Sequence, residues 1–222
     1  MDKLLKTDIQ YVYKYPDVFA PEQTYPVIIL LHGAGSRGDD PQKLFGNPYF
    51  SIIAQHNDFP FITVAPLCSE NTWFDMMEQL KKFVMQLVQL PFVDASRVYL
   101  MGASMGGYAT WQLAMSMPEY FAAIVPICGG GMYWNAGRLI NVPVWVFHGA
   151  KDKTVFVEES VKMVDAVNRC GGNAKLTIYP ETGHPSWVET YANPEVFAWL
   201  LQNRNQNHCQ LSDGYGNAKA YG

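Results

Sequence analysis

The sequence predicts an α/β protein with a mostly parallel central sheet covered by helices on both faces. Three observations carry this reading. Short apolar runs alternate with helix-like stretches along the chain. Two of the runs, Val27-Ile-Ile-Leu-Leu31 and Val144-Trp-Val-Phe147, are apolar throughout, as central strands buried on both faces require. Finally, the central strands each end in a glycine-rich or polar loop. With 222 residues, 49% hydrophobic and 16% charged, a single domain of this kind buries roughly 70% of its unfolded surface. The expected organisation is one domain over residues 1–204 and a polar, Gly- and Asn-rich tail over residues 205–222.

Taken in order, a first strand is expected at 8–13 and a central strand at 27–31, closed by His32-Gly-Ala-Gly35. A strand at 61–65 and a helix at 74–89 follow. The next strand, 98–101, runs into Gly102-Ala-Ser104 and a helix at 105–117. Strand 123–127 leads to Cys128-Gly-Gly-Gly131, and strand 144–147 to His148-Gly-Ala-Lys-Asp152 and a helix at 157–170. A last strand at 176–179 and a helix at 195–203 complete the pattern. Ligand sites in open α/β sheets lie outside the carboxyl ends of the strands, so these loops should gather around one crevice.

Charge and cysteine usage narrow the function. The formal net charge is -4, and Lys81-Lys82 is the sole basic pair in place of a cluster, which argues against nucleic acid or an anionic membrane surface as partner. No apolar run approaches the length of a bilayer crossing. The first ten residues are too charged for a signal peptide, so a cytoplasmic location is expected, with a leader already removed as the alternative. Cys68, Cys128, Cys170 and Cys209 have no C-x-x-C spacing and are expected as free thiols in or near the core. His56 and His208 read as loop and tail residues. Neither a metal nor a cofactor is called for.

The most informative stretch is Gly102-Ala-Ser-Met-Gly106, between a strand and a helix. A serine in a tight strand-to-helix turn is lifted above the sheet edge, and the chain passes only where the flanking positions lack side chains. The amide of Met105 then opens the helix, where it can face a developing oxyanion. A serine hydroxyl is a weak nucleophile unless a base, held by a carboxylate, stands beside it. Downstream, Asp152 follows one strand and His184 follows the next within Glu181-Thr-Gly-His-Pro185, giving the order Ser, Asp, His. Asp152 is preferred as the acid over Glu158 and Glu159, which fall in a helix, and over Glu181, which is too near His184 to orient it. His32 and His148 read instead as imidazoles that bond loop backbone and shape the turns. The loop His32-Gly-Ala-Gly35 offers a second oxyanion donor, Ala34, with Gly33 and Gly35 as near alternatives.

Leu31-His-Gly-Ala-Gly35 with Arg37-Gly-Asp-Asp40, Val98-Tyr-Leu-Met-Gly-Ala-Ser-Met-Gly-Gly107, and Val146-Phe-His-Gly-Ala-Lys-Asp152 with Gly183-His184 together resemble the α/β-hydrolase superfamily. Within it the chain is similar to small cap-less carboxylesterases of the feruloyl-esterase, polyhydroxybutyrate-depolymerase-like and prolyl-oligopeptidase-like kind. The resemblance runs from about Tyr25 to Leu201 and implies Ser104 as nucleophile, Asp152 as acid, His184 as base, and Met105 with Ala34 as oxyanion donors. Two positions depart from the pattern: Ser36 stands where such esterases often have glutamate, and Phe156 where a proline commonly follows the acid loop. The interval 129–141, where lids usually enter, is too short for a cap domain. Trp73, Trp134 and Trp187 lie on loops at the presumed active edge and are candidates to line a substrate pocket. The expected partner is a soluble short-chain or aromatic ester. A serine peptidase of the prolyl-oligopeptidase type and a non-catalytic hydrolase-like binding protein are the rival readings.

Overall fold

The computed structural model of the chain describes residue 5 and residues 7–56 and 58–206. Its centre is a seven-stranded sheet in the order β1-β3-β2-β4-β5-β6-β7, formed by β1 (Tyr11–Lys14), β2 (Tyr25–Leu31), β3 (Ile62–Pro66), β4 (Val93–Ala103), β5 (Ala123–Ile127), β6 (Val144–Gly149) and β7 (Ala174–Tyr179). All neighbours pair in parallel except β1, which runs antiparallel to β3 at one edge.

Side chains of each central strand point alternately to two apolar layers. Val27, Ile29 and Leu31 of β2 enter one layer, with residues of α2 (Met77–Leu87), α3 (Met105–Ser116) and α4 (Val157–Arg169). Ile28 and Leu30 enter the other, with residues of α1 (Pro48–Ile53), α5 (Trp187–Ala192) and α6 (Pro194–Gln202). This is why the core strands carry no polar alternation: both faces are covered.

The parallel register places the functional loops. Leu31 is level with Gly102, Ala103 with Ile127, and Ile127 with Phe147. The residues immediately beyond, His32, Ser104, Cys128 and His148, therefore emerge along one rim of the sheet.

Several elements differ from expectation. The first strand begins at Tyr11, because Asp8 and Ile9 lie in a bend. β4 starts five residues earlier than the apolar run 98–101 indicates, since its first half is partly exposed and pairs at Tyr25 with Val93. The six-residue helices α1 and α5 are too short to show a helical period. The cap at α1 is nonetheless written in the chain: the Asn47 side chain accepts from the Tyr49 amide and Pro48 occupies the first turn. Asn193 and Pro194 do the same for α6. Cys68 and Cys128 are buried and free, but Cys170, at the end of α4, is exposed rather than in the core. The expected tail from residue 207 onward, with His208 and Cys209, lies outside the described residues. No described helix is long and apolar enough to cross a membrane. Between β5 and β6 the chain forms only a 3-10 helix, Tyr133–Leu139, packed through Ala136 and Leu139.

Among the described glycines the tightest approach is at Gly106, where an added Cβ would stand 2.0 Å from the Leu31 carbonyl oxygen. Gly106→Ala is expected to lower the unfolding free energy by about 3 kcal/mol or to prevent folding. Gly46→Ala, where the Cβ meets nothing within 4 Å, should change it by no more than about half a kcal/mol. Urea unfolding of both variants checks the contrast.

Candidate active site

Ser104 sits between β4 and α3 with φ 56° and ψ -118°, a positive φ that L-residues rarely hold. Its neighbours make the turn possible. A Cβ on Gly102 would lie 2.3 Å from the Gly106 carbonyl oxygen, so neither flanking position has room for a side chain. The Ser104 amide donates to the Ile127 carbonyl at 2.9 Å, which ties the turn to the end of β5.

Two loops bring the partners to it. His184 Nε2 lies 2.9 Å from Ser104 Oγ, and His184 Nδ1 lies 2.7 Å from Asp152 Oδ2. Because the ionised carboxylate only accepts, the Nδ1 hydrogen faces it and Nε2 is left to accept the serine proton. Asp152 is itself held: Oδ1 accepts from the amides of Thr154 at 2.8 Å and Val155 at 3.0 Å. Burial alone would raise the Asp152 carboxyl, but the bonds from His184, Val155 and Thr154 outweigh it and hold the group below the ordinary Asp value. The acid and base loops are laced together by backbone bonds from Ala150 to Tyr179 and from Lys151 to Thr182. A Cβ on Gly149 would stand 2.1 Å from the Gly183 carbonyl, and the Lys151 ammonium pairs with Glu181 across the same seam.

Ser104 and His184 open into a cleft of about 470 Å³ that is also lined by Gly33, Ala34, Lys43, Asn47, Thr154 and Trp187. Met105 is the first residue of α3, and Ala34 the first residue of the 3-10 helix Ala34–Ser36. Their amide N–H groups have no acceptor within those helices. Gly33 lies against Ser104, its added Cβ meeting the serine Cβ at 3.5 Å. The arrangement therefore brings the Ser104 hydroxyl and the His184 imidazole that bonds it to one opening, with the backbone of Gly33 and Ala34 on its wall.

The three tryptophans part company. Trp187 lines the cleft and packs edge-on against the His184 ring at 5.4 Å between centroids. Trp73 does not line it: the residue is fully buried, and its Nε1 donates to the His32 carbonyl at 3.0 Å, so it supports the first loop from beneath. Trp134 does not either. The 3-10 helix turns it outward, 72% exposed, onto a separate cleft with Tyr133, Lys162, Asp165 and Arg169. His32 also belongs to the scaffold: Nδ1 donates to the Gly33 carbonyl at 2.7 Å and Nε2 accepts from the Cys68 amide at 3.0 Å. Burial lowers its basicity, consistent with that neutral tautomer. The sequence does not signal Cys128, which stands at φ 41° with its sulfur within 4.8 Å of the Asp152 and His184 ligand atoms. Such a trio can in principle hold a metal ion, but it would need the thiolate, and burial pushes the Cys128 thiol up to about 12.

This mostly parallel sheet, with a strained serine at the turn from β4 to α3 and Asp152 and His184 on the loops after β6 and β7, defines an α/β-hydrolase fold. Residues 58–197 match the phospholipase/carboxylesterase family, and the chain belongs to it. A crystal structure of a thermostable esterase superposes with a TM-score of 0.73 at 32% identity, over 88% of this chain and 59% of that one. Feruloyl esterase D of Neurospora crassa is 23% identical over 92% of this chain and 76% of its own length. A bifunctional acetylxylan esterase/xylanase of Neocallimastix patriciarum is 25% identical over 83% of this chain, which spans only 27% of that protein. Dipeptidyl peptidases are also among the relatives, and this chain spans 21% of the one from Porphyromonas gingivalis.

A carboxyl that titrates lower in the folded chain than in the unfolded one stabilises the fold fully above its unfolded value and loses that contribution as the pH falls through its folded value. The stability gap between the native chain and Asp152→Asn should therefore narrow as the pH falls below the ordinary Asp value of about 4 in urea unfolding. A gap independent of pH would show that the carboxylate makes no such contribution.

Proposed function

We propose that this chain is a carboxylic ester hydrolase that works through a covalent acyl-serine, on soluble short-chain or aromatic esters. The observation that carries the reading is the unbroken hydrogen-bond chain from Ser104 Oγ through His184 to Asp152, opening at the floor of an uncapped cleft.

In this mechanism Ser104 Oγ attacks the ester carbonyl as His184 Nε2 takes its proton. The carbonyl oxygen becomes an oxyanion, which the N–H groups of Met105 and Ala34 stabilise; a donor of this kind is worth about 3 kcal/mol. Asp152 balances the imidazolium that forms. The tetrahedral species then collapses, the C–O bond breaks, and His184 returns the proton to the departing alcohol. Water repeats the sequence against the acyl-serine and releases the acid, restoring the hydroxyl of Ser104.

The peptidase reading keeps the same chemistry and draws support from the dipeptidyl peptidases among the relatives. A dipeptidyl peptidase must hold a charged amino terminus, and the residues lining this cleft include Lys43 but no carboxylate. That favours ester over peptide. An acyl group in the cleft lies beside Trp187, whose ring gives an aromatic acyl a face to pack on.

Ser104→Ala is expected to reduce turnover of p-nitrophenyl acetate and of a feruloyl ester by about a millionfold, with circular dichroism unchanged. Retained turnover would end the proposal, and faster cleavage of a peptide anilide than of either ester would favour the peptidase. Trp187→Ala should raise KM for the feruloyl ester by about tenfold, more than for the acetate. Trp134→Ala, on the separate cleft, should leave both KM values as they are.

A further inference from the structure

The cleft that holds Ser104 carries a charge opposite in sign to that of the chain. The protein has a formal net charge of -4, yet among the described residues that line the cleft the fixed charge is that of Lys43, beside uncharged Ser36, Asn47, Thr154 and Trp187. Lys43 stands on the 3-10 helix Pro41–Gly46, which follows β2 and leads into α1. Both of the next residues anchor it. Leu44 is buried in the same apolar layer as α1, α5 and α6, and the Phe45 ring packs edge-on against Phe50 at 5.0 Å between centroids. The Asp40 side chain caps the first turn, accepting from the Gln42 amide at 3.0 Å. The backbone under Lys43 is thus held, while the residue itself is exposed on the cleft wall.

The polar groups around it are already committed. Lys151 pairs with Glu181, and the Arg37 guanidinium donates to the Ala34 carbonyl and to Asn71. The Asn47 side chain accepts from the Tyr49 amide, and the Thr154 amide donates to Asp152. Among the described residues no carboxylate lies within ion-pair distance of Lys43, and that includes Asp39 and Asp40. A cation without a partner on the wall of a concavity attracts an anion more strongly than it would on open surface, because low-dielectric walls concentrate its field.

We propose that Lys43 is a specificity-determining residue that selects esters carrying a carboxylate elsewhere in the molecule. The proposal rests on the ester-hydrolase reading and narrows its substrate class to a monoester of a dicarboxylic acid or an ester whose alcohol half bears the carboxylate. Such a group is ionised at neutral pH and meets the Lys43 ammonium while the ester carbonyl stands at Ser104. A lysine suits the task, since its point charge on a flexible stem receives a carboxylate from several directions.

The test compares kcat/KM for matched anionic and neutral esters in the native chain and in Lys43→Met, Lys43→Arg and Lys43→Glu. One pair, p-nitrophenyl hydrogen adipate and p-nitrophenyl hexanoate, places the carboxylate on the acyl half; the other, para-acetoxybenzoate and para-acetoxybenzamide, places it on the alcohol half. In the Met variant the anionic-to-neutral ratio should fall about fivefold at low ionic strength, through KM, for the pair whose carboxylate reaches Lys43. The Arg variant should keep most of the ratio, and the Glu variant should push it below that of the Met variant. Molar salt should shrink the native preference. A ratio that Lys43→Met moves in neither pair would overturn the proposal. A second measurement needs no hydrolysis: para-acetamidobenzoate, which has no ester, is titrated into the chain while nitrogen-15 NMR follows the Trp187 indole N–H. Weaker binding of this anion in Lys43→Met, relative to para-acetamidobenzamide, supports the assignment, and equal loss for both overturns it. Should the native chain cleave none of the four esters, the ester reading fails while the titration still decides what Lys43 recognises.

Discussion

The structure depends on one close approach: the backbone of Gly106, at the start of α3, lies against the Leu31 carbonyl at the end of β2. No side chain fits there, and the same is true of Gly102 against Gly106. These contacts let α3 begin directly above the sheet and force Ser104 between them into a positive φ. Strain of this kind costs on the order of 1–3 kcal/mol and persists only where the surroundings over-determine it. Here the surroundings are the two apolar layers, which fix β2, β4 and β5 in register on either side of the serine.

The register then does for the partners what the glycines do for the serine. Successive parallel strands end level with one another, so the loops after β6 and β7 arrive beside Ser104 although they are distant in sequence. The clamp of Gly149 on Gly183 makes the acid and base loops one unit. Asp152 is consequently held by its own loop and by His184.

Much of this was legible in the residue order. The apolar runs located the central strands because strands buried on both faces have no choice but to be apolar. The glycines around Ser104 announced the elbow because no other residue fits. What was not legible is tertiary in origin. In the sequence Trp73, Trp134 and Trp187 all read as loop residues, and only packing sends the first beneath His32, the second outward on a 3-10 helix and the third, at the start of α5, into the cleft. Short helices such as α1 carry caps but no period. The contact of His148 with Asp152 follows from the curl of the loop between them, and the His-Gly pair alone gave only an imidazole bonding its turn.

The central claim is that the hydroxyl at the elbow becomes covalently acylated. Its most direct test is to incubate the chain with a fluorophosphonate and with a slowly turned-over ester, quench in acid, and map the mass increment by peptide sequencing in a mass spectrometer. The account predicts one adduct per chain, on the peptide that carries Ser104, for both reagents. Ester hydrolysis with no adduct at Ser104, or with the label on another residue, would contradict it.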